Sequence, residues 1–385
     1  MGKIRILVFN QYYLPGYKSG GPIRTIENMV KYLSDHFDFF IFTSDRDALD
    51  IKSYHGVCVD KWNSVGDARV YYASPKMRGV KGIRKILKDN KYDILYLNSF
   101  FNPTFTITPL LLIFLRIVSV KNIIVAPRGE FSKGALLLKS WKKKIFIYLS
   151  KICGLYSEVL WQASSDFEKK DIISIFPKAF VHVASNLPCL SNIKIKDSIS
   201  KIDFKVLFLS RISPMKNLDY ALKVFQKVKS DVIFYIYGPI RDEKYWSLCQ
   251  NLFSELPDNV KVFYCDTVDH DQVQSIMAQH DLFFLPTLGE NFGHVIAEAL
   301  SVGTPVLIAN TTPWRNLESD QLGWDLPLAD PELFAAKIDF YAKCSLDERQ
   351  RWRDHIQEAA KVRLLTPELL DANRQLFLQA LNNKY

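Results

Sequence analysis

The chain has 385 residues, 48% hydrophobic and 24% charged, enough for two ordinary domains that each bury a core. Its six cysteines are scattered with no Cys-x-x-Cys pair, which argues against a disulfide framework or a zinc site and for a reduced, cytoplasmic compartment. Net charge is +9, yet residues 1–200 hold 30 Lys and Arg against 16 Asp and Glu (+14), and residues 201–385 hold 20 against 25 (−5), so the first half is expected to meet an anionic surface or ligand.

Met1-Gly2-Lys3-Ile4-Arg5 runs straight into an apolar, β-branched strand over Ile4 to Phe9, a start unlike a signal peptide. The loop Gln11 to Gly21 holds Gly16, Gly20 and Gly21, and a helix is expected from Pro22. Glycines before a helix-starting proline make a close-approach site at the helix mouth. G-x-G-x-x-G is absent, so the loop is not a dinucleotide fingerprint. Strand patterns recur at Phe37–Thr43, Arg69–Ala73, Ile94–Leu97, Ile123–Ala126 and Val159–Gln162, mostly with helical patterns between, as in a parallel, doubly wound sheet. Asn98-Ser99-Phe100 follows the fourth strand pattern and Pro127-Arg128-Gly129-Glu130-Phe131 the fifth. Strand ends face the ligand crevice in such sheets, so Arg128 and Glu130 read either as ligand contacts or as a buried ion pair. The longest uncharged apolar run, Thr104 to Leu115, is ended by Arg116 and is too short to span a bilayer. Gly134 to Leu155 reads as a basic helix, with lysines at 133, 139, 142, 143, 144 and 151 interleaved with Trp141, Ile145, Phe146, Tyr148 and Leu149. Such a helix is either a solvated face over a core-facing stripe or a surface that lies on anionic lipid. No nucleic-acid-binding motif accompanies the charge.

The polar stretch Asn186 to Lys201 separates two strand–helix series and is the expected domain boundary. A new strand at Phe204–Ser210 leads into Arg211-Ile212-Ser213-Pro214-Met215-Lys216-Asn217-Leu218, where Asn217 is placed to cap the next helix. Further strand ends come at Tyr237-Gly238-Pro239 and at Tyr264-Cys265-Asp266-Thr267-Val268. Then comes Leu282 to Pro305, LFFLPTLGENFGHVIAEALSVGTP: a buried strand, a glycine-bearing loop, and a helix over about Gly293 to Val302 that stops at Gly303. Glu290 lies in the loop and Glu298 in the helix, about 7 Å along its axis. The free amides between them favour an anion such as a phosphate. Helices over roughly Pro331–Lys343, Leu346–Lys361 and Pro367–Leu381 finish the chain.

Glu290, seven residues and Glu298, in the setting E-N-F-G-H-V-I-A-E-A-L-S-V-G-T-P-V, resemble the retaining nucleotide-sugar glycosyltransferases of family four. The resemblance is close over residues 203–325 and general over 1–185. It implies the α/β GT-B fold, two Rossmann-like doubly wound domains facing a cleft. An acceptor-binding domain would occupy 1–190 and a nucleotide-sugar-binding domain 200–365, with a last helix (366–385) packing back toward the first. It implies transfer of a sugar from a nucleotide-diphosphate donor to a glycan or lipid-linked acceptor, as in surface polysaccharide and lipopolysaccharide synthesis, without metal or cofactor. Arg211 and Lys216 would neutralise the diphosphate, and Glu298 would hold the ribose. Glu290 would hold the sugar hydroxyls with the amides of Asn291, Phe292 and Gly293, and the helix amides at His294 and Val295 would assist at the phosphates. Gly20 and Gly21 would lie beside the donor phosphates, Thr267 and Val268 near the base, and Asn98, Arg128 and Glu130 on the acceptor side. Relatives often carry a histidine near Asn98, which this chain lacks. Asp45-Arg46-Asp47 has the D-x-D form that holds a metal in a different glycosyltransferase class, but the rest of the chain follows the metal-independent design. Residues 133–151, by their own pattern, are a candidate contact with an anionic inner membrane surface, with the solvated face as the alternative. The rivals are an epimerase or phosphorylase on the same fold, a silent nucleotide-sugar-binding subunit, and an interaction protein that binds no nucleotide.

Overall fold

A computed structural model describes residues 2–89, 92–137, 140–190 and 203–382. Most of the expected boundary segment, residues 191–201, and Lys139 of the basic stretch therefore lie outside the described residues. The chain divides into two compact units, one of Met1–Leu187 with Pro367–Tyr385 and the other of Pro188–Thr366.

The first unit contains strands β1 (Ile4–Phe9), β2 (Phe37–Ser44), β3 (Trp62–Val65), β4 (Ala68–Ala73), β5 (Ile94–Leu97), β6 (Ile123–Val125), β7 (Leu160–Ala163) and β8 (Phe180–Val183). They form one sheet in the order β3-β4-β2-β1-β5-β6-β7-β8, parallel except where β3 pairs antiparallel with β4. Helices α1 (Gly21–Leu33), α2 (Val80–Lys88), α3 (Thr108–Phe114), α4 (Lys133–Leu137), α5 (Ser140–Ile152) and α6 (Asp166–Ile175) connect them. The central strands are buried on both faces, with Ile6, Leu7, Val8 and Phe9 at most 1% exposed, which is why they read as continuous apolar runs. The edges β3 and β8 escape a sequence reading. Trp62-Asn63-Ser64-Val65 and Phe180-Val181-His182-Val183 are short and half-exposed, so they need no apolar run. The basic stretch expected as one helix is described as two, α4 and α5.

The second unit contains β9 (Phe204–Leu209), β10 (Val232–Tyr237), β11 (Val260–Tyr264), β12 (Leu282–Leu285), β13 (Val306–Ala309) and β14 (Gly323–Leu326). Its sheet is wholly parallel, in the order β11-β10-β9-β12-β13-β14. Helices α7 (Leu218–Phe225), α8 (Glu243–Phe253), α9 (His270–Ala278), α10 (His294–Ser301), α11 (Pro331–Ala342) and α12 (Leu346–Leu364) cover it. One apolar cluster runs through this unit, built on Val206, Phe234, Phe284, Ile296 and Leu307. Helix α12 opens with a capping box at Ser345 and Glu348 and sinks Arg353 completely. There Arg353 donates to the carbonyls of Ala278 and His280 at the end of α9. A buried cation on terminal helix carbonyls is favoured by the helix dipole, although Arg353 Nε itself finds no acceptor.

The last helix, α13 (Pro367–Asn382), packs in the first unit. Phe377 is fully buried against Phe37, Phe39 and Tyr96, and Asn373 donates to the Ser185 carbonyl at 2.8 Å. His182 is held between Gln379 Oε1 and the Ala372 carbonyl. These contacts lie on β2, β5 and β8, so the unit's sheet is covered by two segments far apart in sequence.

Candidate active site

In the second unit the chain builds β9, β10 and β11 in one direction and then returns to place β12 on the other side of β9. The loops that follow β9 and β12 therefore diverge from adjacent strands, and that reversal is where an open α/β sheet leaves a crevice for a ligand. Both loops carry predicted residues. Lys216, from the β9 loop, forms an ion pair with Glu290 from the β12 loop, both side chains largely shielded. Backbone and side-chain bonds fix the two loops together. Leu288 N and Thr287 Oγ1 donate to the Met215 carbonyl at 2.9 and 3.0 Å, and Asn217 Nδ2 donates to the Pro286 carbonyl at 2.9 Å. This last bond corrects an expectation. Asn217 precedes α7, but its side chain makes no capping bond; held at φ 61°, it points across to the β12 loop instead.

The other rim loops join by main-chain bonds. Ile212 N donates to Pro239 O, Arg241 N to Ile212 O, and Gly238 N to Asp266 O. Gly238 is required where it stands: at φ 136°, an added Cβ would lie 1.9 Å from the Ser210 carbonyl oxygen. Thr267 and Val268 follow β11 on this same rim, Thr267 exposed and its amide turned onto Asp266 Oδ1.

Gly293 opens α10 in the left-handed conformation, φ 81°. An added Cβ there would meet Ile296 Cδ1 at 2.9 Å. Trp314 Nε1 donates to the Phe292 carbonyl at 2.6 Å, and its ring lies 5.6 Å from that of Phe292, so the turn from Asn291 to Val295 is clamped from the side. The Phe292 ring also meets His294 edge-on, 4.8 Å between centroids. Glu298 comes one turn into α10 and is 7% exposed.

Arg211 leaves the end of β9 with an exposed side chain. Protein atoms crowd its guanidinium and pull its pKa below the usual arginine value; Arg241 adds to this and Glu290 opposes it. An arginine so placed remains a cation. Arg241, on the Gly238-Pro239-Ile240-Arg241 turn after β10, is thus a further positive charge at this rim that the sequence reading overlooked. The available signal was its place directly after a strand end.

In the first unit the strand order reverses between β1 and β5. Gly20 and Gly21 stand at the mouth of α1, with Gly20 at φ 61°. Beside them Asp47 accepts from the amides of Tyr17, Lys18 and Ala48, while Asp45 pairs with Arg46 and Arg78. Asp47 thus shapes the glycine loop, while Asp45 is taken up by two arginines outside it. Arg128, at φ 57°, donates to Asn98 Oδ1 at 2.8 Å, to Asn186 Oδ1 at 2.6 Å, and to the Tyr96 hydroxyl. Glu130 accepts from Ser99 Oγ and the amides of Phe100 and Phe101. Burial raises its pKa, and those amides oppose the shift. The two do not pair with each other, so the buried ion pair weighed as an alternative is not formed. Both hold the loop after β5, Arg128 at Asn98 and Glu130 at Ser99, Phe100 and Phe101.

Residues 191–359 match the family described as Glycosyl transferases group 1. An uncharacterized 41.2 kDa protein in the cps region of Klebsiella pneumoniae is 26% identical over 249 residues, covering 62% of this chain and 66% of that one. The O-antigen biosynthesis glycosyltransferase WclY of Escherichia coli is 24% identical over 149 residues, 39% and 40% of the two chains. The matches thus cover less than two-thirds of these relatives' own lengths. Among solved structures, Anabaena HepE in complex with UDP and glucose superposes with TM-score 0.65 at 16% identity, covering 99% of this chain and 100% of that one. Sucrose-phosphate synthase from Thermosynechococcus elongatus superposes with TM-score 0.70 at 14% identity, again covering 99% and 100%. The second unit thus carries the match to the group 1 glycosyl transferases, and the chain as a whole has the GT-B fold.

Proposed function

We propose that the protein is a retaining glycosyltransferase that moves a sugar from a nucleotide-diphosphate donor to a glycan or lipid-linked acceptor in the synthesis of a bacterial surface polysaccharide. The observation that carries this reading is the meeting of Lys216, Arg211 and Glu290 at the strand-order reversal, directly before the amide end of α10. A diphosphate leaving group gathers negative charge as the glycosidic bond breaks, and fixed cations with helix amides stabilise it. In that role Arg211 and Lys216 grip the diphosphate, Arg241 adds to the field, and the amides of His294 and Val295 complete the cradle. Glu290 exchanges its ion pair with Lys216 for the sugar hydroxyls, aided by the amides of Asn291, Phe292 and Gly293. Glu298 accepts from the ribose hydroxyls, and Thr267 and Val268 lie toward the base.

On the acceptor side, Arg128 orients Asn98, while Glu130 shapes the loop that presents it. The departing phosphate deprotonates the acceptor on the same face of the sugar, and the enzyme supplies position and charge without metal or cofactor. Glu290 as a covalent nucleophile is the second mechanism, and a trapped adduct on it would establish that route. A relative encoded in a cps region, an O-antigen biosynthesis glycosyltransferase and a neighbour complexed with UDP and glucose support this reading over an epimerase, a phosphorylase or a silent subunit. The reading places the protein in the cytoplasm, peripheral on the inner membrane face through the basic segment 133–151. Among the described residues no helix is long and apolar enough to cross a membrane.

A thermal-shift panel of UDP-, GDP- and ADP-sugars tests the donor assignment. One base should stabilise the protein, and Glu298→Ala should weaken binding of every sugar on that base by roughly 10- to 100-fold, the range for a lost charged hydrogen bond. No response to any nucleotide sugar would sink the reading.

A further inference from the structure

In the first unit α2 connects β4 to β5, α3 connects β5 to β6, and α5 connects β6 to β7. In the order β4-β2-β1-β5-β6-β7 all three crossovers advance in the same direction. Right-handed crossovers therefore lay the three helices on one face of the sheet. Their inner sides share a single core: Ile83 and Ile86 from α2, Leu110 and Leu112 from α3, Phe146 and Ile147 from α5.

The outer side of α5 is unusual. At about 100° per residue, Trp141, Ile145, Tyr148, Leu149 and Ile152 fall within an arc of about 100°. That arc turns to water, with Trp141 63%, Tyr148 64% and Ile152 64% exposed. Lys142 flanks it on one side, Lys144 and Lys151 on the other, and all three are exposed. Lys143, on the opposite side, folds inward, with its ammonium over Phe101 and donating to the Ala135 carbonyl. The lysines are thus sorted by the helix, and the large apolar side chains face away from the core that would normally claim them. Helix α3 adds exposed Leu111 and Phe114, with Leu115 just beyond its end. Helix α2 adds exposed Lys81, Arg84, Lys85 and Lys88, which with Lys61 line an open groove of about 800 Å³ whose only acids are Asp60 and Asp89. Helices α2, α3 and α5 contain no Asp or Glu at all.

We propose that this three-helix face is a docking surface for an anionic lipid bilayer. Trp141, Ile145, Tyr148, Leu149 and Ile152 enter the headgroup boundary, and the flanking lysines and the α2 groove engage lipid phosphates. An apolar arc with aromatic residues bordered by cations is the pattern of a helix lying in a membrane interface. Seven exposed cations on α2 and α5, with no acid on either helix, match an anionic surface, whereas a protein partner that buried this arc would have to supply acids against every flank. The proposal deepens the membrane part of the function above and is independent of its donor part.

The full chain is tested by sedimentation with phosphatidylglycerol vesicles and with phosphatidylcholine vesicles, at low and high salt. Binding should be confined to the anionic vesicles and be lost at high salt. K142E/K144E/K151E together should lower it on the order of a hundredfold, from the usual contribution of each basic residue at an anionic surface. Trp141→Ala with Tyr148→Ala should lower it with the charge unchanged. All of these side chains are exposed, so melting temperature should stay at the wild-type value. Equal binding to neutral vesicles, undiminished binding by both variants, or concentration-dependent self-association abolished by the apolar variant would each overturn the proposal. Nucleotide-sugar binding is followed by thermal shift on the same preparations. Vesicle binding without a donor response breaks only the donor reading, and a donor response without vesicle binding breaks only the docking surface.

Discussion

Each unit reverses its strand order beside one central strand, β1 in the first and β9 in the second, yet the two rims use their charged residues in opposite ways. At the first rim the charges serve the chain itself. Asp47 holds three backbone amides, Glu130 holds two amides and a hydroxyl, and Arg128 joins two asparagines and a tyrosine. At the second rim the acid and the cations come from different loops and meet mainly one another, as Lys216 meets Glu290 with Arg211 and Arg241 beside them. A carboxylate locked to main-chain donors keeps a loop in shape. An ion pair at the edge of a crevice can be exchanged for a ligand's charges without unfolding anything. On the proposed reading, the same topology yields a scaffold in one unit and the reaction site in the other.

The sharpest test of that contrast is Lys216→Ala. Transfer, measured by release of the nucleoside diphosphate, should fall about 100- to 1000-fold, the usual cost of removing one group that stabilises developing charge. Stability should change little. A variant that is fully active, or that fails chiefly by unfolding, would break the comparison.

The second test concerns the end of the second unit's sheet opposite its rim. His280 is buried just before β12, and burial lowers its pKa to about 4, with the charges of Lys205 and Arg353 adding to the shift and the Ile276 carbonyl opposing it. The folded state thus holds the neutral ring, and the unfolded chain, at about 6.5, takes up the proton first. Stability from this group is full above pH 6.5 and is lost as pH falls toward 4, by about 3 kcal/mol in all. Calorimetry across that range should show His280→Gln losing less stability than the parent chain. A parallel loss in both would refute the assignment.

The smallest effect belongs to Arg128→Ala. Leaving Asn98 and Asn186 without their donor should cost about 1–3 kcal/mol of stability, read as a lowered denaturant midpoint, while donor affinity stays within threefold. If donor affinity collapsed instead, the first rim would be a donor site as well, and the contrast between the units would fail.

Much of this was legible in the primary structure. Buried parallel strands announce themselves as apolar runs, and the Leu282–Pro305 stretch carries its own strand end, glycine hinge and helix mouth. Edge strands β3 and β8 did not announce themselves, because only one side of each needs to be apolar. The role of Asn217 was misread for a related reason. The sequence places it before a helix, but its partner, the Pro286 carbonyl, is 69 residues away, and no local pattern encodes that bond.

Local physics, the spacing of apolar residues and the conformational demands of glycine and proline, determined from the sequence alone that the chain forms two α/β units and that Glu290 and Glu298 flank a helix mouth. Only the tertiary structure decided which charges remain available to a ligand. Whether an acid faces a backbone amide, a lysine or water depends on the strand that lies next to its own. The same is true of the basic stretch after β6. Its lysines and aromatics are plain in the sequence, but only folding onto the sheet sorted them into a core side and an exposed side.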